Sequence, residues 1–362
     1  MYFNSSAAIY QTNTTLNPAV FPFHRRLPGY NTTRLVPLPD VAKELGLGHV
    51  LLKDESDRFR LPAFKILGAS WAIHRAIATQ SALDLSSSIE AVSTAAKDAG
   101  IKLVTCSEGN WGRAVARMAK YLGIPATIFV PKFMDLATQG RIGSEGATVE
   151  VVQGNYDDSI VAAREEAKKP GRLLVMDTSW DGYETIPQWV VEGYSTMLTE
   201  TDAQVQELTG KTATFAIASV GVGSWAQSVV MHYKTHSARA TVVTVEPDTA
   251  ACLQASLQAG KITTVDTAES IMCGMNCGTV STTAWPVLRA GVGISVAITD
   301  VEAHESVQYL HARGVMVGPC GAATLGALRR LCKEEKGRLG LGKESVVVLF
   351  STEGAREYVA PK

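Results

Sequence analysis

The stretch LPAFKILGAS (61–70) places one lysine among apolar and small residues. Burying an unpaired ammonium is costly. Lys65 therefore either lays its stem along a helix with its head in water, or works as a neutral amine or a covalent anchor. The residues alone leave both readings open. Three glycine loops could carry further chemistry. SEGNWGRAV (107–115) follows one apolar run, and SVGVGSWAQ (219–227) follows another. In the second, Gly221, Val222, Gly223 and Ser224 would let backbone N–H groups approach an anion at a helix N-terminus, with the Ser224 hydroxyl as a further donor. A tight strand-to-helix turn favours the same glycines equally. The third loop, GRLGLGKE (337–344), has the spacing of a nucleotide phosphate loop. It carries Glu344 where the metal-binding hydroxyl belongs, however, and it precedes a strand.

These residues need elements to hold them. IKLVTC (101–106), PATIFVP (125–131), ATVEVVQG (147–154) and RLLVMD (172–177) read as strands, and helical patterns cover 110–123, the stretch to about 145, and 156–168. Alternation at this spacing predicts βαβ units with a parallel sheet. A second series follows: a long helix near 186–209, strand 212–219, helix 224–235, strand 240–247 and helix 249–259. Strand 293–299, helices near 300–313 and 320–334, and strand 345–351 complete it. Two α/β lobes with a cleft between them are expected, with ligands at the carboxyl ends of the strands.

Composition narrows the function classes. The 362 residues are 46% hydrophobic and 19% charged, and 34 basic against 35 acidic residues leave a formal net charge of -1. No electrostatic footprint for nucleic acid or an anionic membrane is expected. The six cysteines are scattered without a completing His or Cys pair, so no metal site is expected and the thiols read as free in a reducing compartment. The opening MYFNSSAAIYQ lacks a basic region followed by an apolar run, which points to the cytoplasm. The loop GVGSWA lacks a final glycine. Ala226 is tolerated there, however, and Glu246 lies downstream, so a dehydrogenase reading is weakened rather than removed. No H-E-x-x-H or G-x-S-x-G occurs.

The lysine in A-F-K-x-L-G, the S-x-G-N-x-G loop and the glycine cup together resemble pyridoxal-phosphate enzymes of the tryptophan synthase beta-like fold (fold type II). More narrowly, the chain is similar to the diaminopropionate ammonia-lyase family through residues 23–70, 107–123, MDTSWDGYETIP (176–187), 219–225, 271–291 and STEG (351–354). The resemblance implies a two-lobed α/β architecture with twisted, mostly parallel sheets. Its smaller domain would span 66–178, and 1–65 plus 179–362 would form the larger, phosphate-binding one. It also implies pyridoxal 5'-phosphate as cofactor, a small amino acid as substrate and a homodimer. Lys65 would form the Schiff base and later act as base at Cα, a role that apolar neighbours favour by lowering a lysine pKa. Phe64 would line the cofactor, Asn110 would meet its ring hydroxyl, and Gly221, Val222, Gly223 and Ser224 would hold its phosphate. Ser351 or Thr352 would face the pyridine nitrogen. A hydroxyl there does not enforce a protonated ring, which favours β-elimination over reactions needing a long-lived carbanion. Asp177 would hold the substrate's extra amino group, although a carboxylate capping the loop after its strand explains it as well.

Three positions depart from the family pattern. Glu108 stands where Asp is usual, and a shift of about an ångström at a catalytic group costs roughly a hundredfold. Trp111 replaces the usual His beside Ser107 and Gly109 in the expected substrate pocket, and could instead pack under the cofactor domain. Arg356 follows E-G where an acid is usual. Within one cofactor class, β-replacement, racemisation or dehydration of a hydroxy-amino acid compete with elimination. A binding protein that has lost the reaction has no need of Lys65.

Overall fold

The computed structural model describes residues 1–13, 17–107, 109–235 and 239–361. Its strands are β1 (Tyr2–Phe3), β2 (Leu35–Pro37), β3 (His49–Asp54), β4 (Lys102–Cys106), β5 (Ala126–Pro131), β6 (Thr148–Val152), β7 (Arg172–Leu174), β8 (Phe215–Ser219), β9 (Thr241–Pro247), β10 (Ile294–Ile298) and β11 (Val346–Ser351). They form a seven-stranded sheet ordered β1-β10-β9-β8-β11-β3-β2 and a four-stranded sheet ordered β6-β5-β4-β7. The small sheet is parallel throughout, while the large one is parallel except for its edge strands β1 and β2. Inner strands of parallel sheets are covered on both faces, so they read as apolar runs rather than alternations. β8 (FAIAS) and β11 (VVVLFS) are buried at every residue.

The chain divides into two compact units. One comprises Met1–Leu16, Thr32–Phe64 and Ser195–Lys362, the other Asn17–Asn31 and Lys65–Tyr194. The second unit takes in the expected smaller domain, 66–178, and adds residues on both sides of it. Segment 17–31 joins the smaller unit because Phe23 packs on Trp71 with ring centroids 5.4 Å apart and His24 Nε2 lies 3.0 Å from the Leu67 carbonyl. The helix Thr185–Gly193 joins it too, packing along the helix Lys65–Gln80. The expected long helix over 186–209 is two helices, Thr185–Gly193 and Ser195–Thr209, broken at the buried Tyr194. There Gly193 lies so close to Leu67 and Gly68 that a Cβ would come within 2.5 Å of the Leu67 carbonyl.

Each unit has its own core. In the larger, Val50, Leu52, Ile217, Val243, Val296, Val347 and Leu349 from the sheet meet Leu325 and Leu328 of the helix Pro319–Glu335. In the smaller, Val104, Cys106, Ala163 and Met176 are the buried centre of a cluster. Among the described residues no helix is long and apolar enough to cross a membrane.

Candidate active site

Lys65 is the first residue of the helix Lys65–Gln80. Its Nζ lies 2.5 Å from Asp177 Oδ2 and 5.8 Å from the centroid of the Trp111 ring. The amine and the carboxylate are 23% and 9% exposed, so the pair is lightly solvated and borders apolar surface. The structure thus brings Lys65, Asp177 and Trp111 of the smaller unit together. The Trp111 Nε1–H donates to Thr105 Oγ1 at 2.9 Å and to the Val175 carbonyl at 3.3 Å.

The loop after β4 is shaped by its serine and glycines. Ser107 Oγ accepts N–H bonds from Gly109 at 2.9 Å and Gly112 at 2.7 Å, and the residue is buried. Its side chain therefore ties the loop to the helix Asn110–Leu122. Gly109 has φ +148, a backbone conformation suited to glycine, and no described atom lies closer than 3.6 Å to where its Cβ would be. Asn110 opens the helix and is half-buried. Glu108 lies outside the described residues.

In the larger unit, the expected cup follows β8 and opens the ten-residue helix Ser224–Tyr233. Gly223 has φ +97, and a Cβ there would lie 2.8 Å from Leu288 Cδ1. A Cβ on Gly221 would lie 3.0 Å from the Gly274 carbonyl and 3.2 Å from Cys277 Sγ. The Val222 carbonyl accepts from Ser281 N–H at 2.8 Å, and Ser224 is buried at the start of the helix. Bare backbone at a helix N-terminus suits a phosphate dianion. At the end of β11, Ser351 is fully buried, and among the described residues its Oγ has no hydrogen-bond partner. Thr352 Oγ1 is 3.4 Å from Ser219 Oγ, and the Thr352 carbonyl accepts from Phe64 N–H. Phe64 packs edge-on against Trp225 at 5.3 Å.

These residues fit pyridoxal phosphate. In the smaller unit Lys65 offers the amine; in the larger, the backbone at Gly221 and Gly223 suits a phosphate and the orphaned Ser351 hydroxyl suits a ring nitrogen. Arg356 brings no free cation, because it bonds the Ile271 carbonyl and pairs with Glu353 at 3.5 Å. Glu353 also accepts the Cys320 N–H at 3.0 Å.

Sequence reasoning passed over two groups. Tyr183 hydrogen-bonds the backbone just before Asp177. The second is a buried ionic cluster in the larger unit. Lys53 Nζ contacts Glu200 Oε2 at 2.9 Å, and Arg58 bonds Glu55, Glu200 and Thr33. Burial works against the Lys53 charge and lowers its pKa despite Glu200. It also works against Arg58, but Glu55 and Glu200 outweigh it and raise that pKa. The cluster anchors the loop that leads to Lys65. Its only sequence signal was a lysine at the end of the apolar strand HVLLKD.

A family model for pyridoxal-phosphate dependent enzymes matches residues 26–352. The diaminopropionate ammonia-lyase of Salmonella typhimurium is 34% identical, over 97% of this chain and 92% of its own length. The crystal structure of the Escherichia coli diaminopropionate ammonia-lyase in complex with D-serine superposes with a TM-score of 0.85 at 30% identity, covering 98% of this chain and 93% of that one. The same enzyme with an aminoacrylate-PLP azomethine reaction intermediate gives the same TM-score, identity and coverage.

Proposed function

The chain belongs to the pyridoxal-phosphate-dependent enzymes, and from that premise we propose that it is an ammonia-lyase acting on 2,3-diaminopropionate or a closely related β-substituted amino acid. The observation that carries the reading is the Lys65–Asp177 pair, with Nζ and Oδ2 2.5 Å apart. It sets a base for the Cα proton beside an anion for the substrate's second amino group. The cofactor is pyridoxal 5'-phosphate, which when bound supplies the electron sink at Cα. Lys65 would hold its aldehyde carbon, Asn110 its ring hydroxyl, Gly221 to Ser224 its phosphate, and Ser351 its ring nitrogen, with Phe64 and Thr352 alongside.

Lys65 Nζ takes the Cα proton, and the pair of electrons from that bond forms the Cα–Cβ double bond as the Cβ–N bond breaks. Asp177 holds the departing nitrogen as an ammonium until it leaves as ammonia. The indole of Trp111 lies beside the lysine, its ring centroid 5.8 Å from Nζ. Released aminoacrylate takes up water and yields pyruvate and a second ammonia. Glu108 is the second acid in this reading, acting at Cα of the D isomer. The enzyme is cytoplasmic and works as a homodimer.

The test is pyruvate and ammonia release from L- and D-2,3-diaminopropionate, assayed separately beside Lys65→Ala. Two ammonia per pyruvate from the L isomer, abolished in the variant, is the expected result. Turnover of the D isomer as well would assign Glu108 the second base role. No pyruvate from either isomer, in protein that binds the cofactor, would refute the diaminopropionate assignment.

A further inference from the structure

The strand that should deliver Asp177 stops short of it. β7 ends at Leu174, and one more ladder bond follows, from Val175 N–H to the Val104 carbonyl at 2.9 Å. Beyond it, β4 gives no partner to the Val175 carbonyl or the Met176 N–H, although Val175 and Met176 are completely buried. Buried backbone groups need partners. Two aromatic side chains supply them. Tyr183 Oη accepts the Met176 N–H at 3.0 Å and donates to the Leu174 carbonyl at 2.8 Å. Trp111 Nε1–H donates to the Val175 carbonyl at 3.3 Å. Burial raises the Tyr183 pKa far above its ordinary range, so the phenol keeps the proton it donates. Tyr183 is itself stacked on Trp180, with centroids 4.5 Å apart, and Arg164 lies 4.9 Å over the Trp180 ring.

We propose that Tyr183 and Trp111 are positioning residues that bracket the segment Val175–Asp177 and so set where the Asp177 carboxylate meets the amino group at the substrate's β-carbon. The inference rests on the Asp177 role given above. A strand end held by its ladder would need no such bracket; a chain leaving the sheet one residue earlier does. Both side chains replace ladder bonds exactly where the ladder stops, and Asp177 is the next residue after the two they hold. Trp111 also faces Lys65, so one indole fixes the distance between base and acid from both sides. An aspartate freed to wander by about an ångström loses much of its value to the reaction.

The experiment uses the holoenzyme and two substrates, L-2,3-diaminopropionate and β-chloro-L-alanine. Chloride leaves from the second without an amino group for Asp177 to hold. The readout is the ratio of the two kcat/KM values in wild type, Tyr183→Phe, Trp111→Phe and Asp177→Asn. Amide exchange at Met176 in the Tyr183→Phe protein is measured in parallel. We expect the ratio to fall at least about tenfold in Tyr183→Phe and in Asp177→Asn, and Met176 to exchange faster while the β4 and β5 amides keep their protection. A general loss of folding would lower both substrates together and would expose those amides too. A ratio that collapses in Asp177→Asn but stays within twofold of wild type in both aromatic variants would overturn the bracket alone. A ratio unmoved in Asp177→Asn would overturn the Asp177 assignment and the bracket with it. Unchanged Met176 exchange in Tyr183→Phe would overturn the mechanical claim whatever the kinetics.

Discussion

Ser351 shows how a residue suited to a ligand can weigh against the fold. Its hydroxyl is fully buried without a partner among the described residues, and such a group costs about 1–3 kcal/mol. Ser351→Ala is therefore expected to stabilise the cofactor-stripped protein by about 1 kcal/mol in urea unfolding. Turnover of the loaded enzyme should fall at least severalfold, because the ring nitrogen loses its hydrogen-bonding group. A variant that is less stable when stripped and fully active would remove Ser351 from the site. Lys65 stands out in the sequence as a lone lysine among apolar residues, but those residues left both of its readings open and only the family resemblance gave it a role. Ser351 was legible only through the family resemblance, since nothing in VVVLFS says which hydroxyl will be orphaned. Tyr183 was not legible at all: its partners are backbone groups released by the place where β7 leaves its ladder, and residue types do not record that place.

At the scale of elements, the alternation of strands and helices survives almost intact, because apolar periodicity and glycine C-caps are local signals. The helix Asn110–Leu122, for instance, ends at Gly123 in the left-handed conformation, where the pattern placed it. The break at Tyr194 was missed because it is a tertiary effect. Helix propensity runs on through 186–209, and only the contact with the helix Lys65–Gln80 shows where the chain must stop and change direction. Gly68 and Gly193 make that contact possible. A Cβ on Gly68 would come within 2.7 Å of Tyr194 Cε1 and Val190 Cγ1, and one on Gly193 within 2.8 Å of Gly68 Cα. Backbone cannot yield as a flexible side chain does, so Gly193→Ala must push the two helices apart. We expect a loss of about 1–3 kcal/mol, seen as a lower urea midpoint with an unchanged m-value. Because Lys65 begins one of those helices, kcat should fall as well. Full stability in Gly193→Ala would mean that the helix pair is looser than its contacts imply.

For the whole molecule, nearly balanced charges mean that pH acts through individual buried groups rather than through collective repulsion. Glu246, in β9, is one of these. Burial pushes its pKa up to about 7, although the Leu253 and Gln254 N–H groups, at 2.7 and 2.9 Å, favour the carboxylate. A carboxyl whose folded pKa lies above its unfolded value binds its proton more tightly when folded. Its effect on stability is therefore most favourable below the unfolded pKa of about 4.5 and is lost as pH rises toward 7. That shift corresponds to about 3 kcal/mol at about 1.4 kcal/mol per pKa unit. Other groups act with the opposite sign. Burial lowers the His74 pKa, so stability is lost as pH falls through its unfolded value of about 6.5. Glu145 is held low because Arg117 and Arg113 outweigh its burial, and it matters only toward the acid end. The wild-type profile mixes all three, but the difference between wild type and Glu246→Gln isolates one. That difference should shift by about 2.5 kcal/mol against the wild type between pH 5 and pH 8 in urea unfolding. A flat difference would show that the two N–H bonds keep Glu246 ionised throughout, and the helix Cys252–Ala259 would then be held by a carboxylate at every pH.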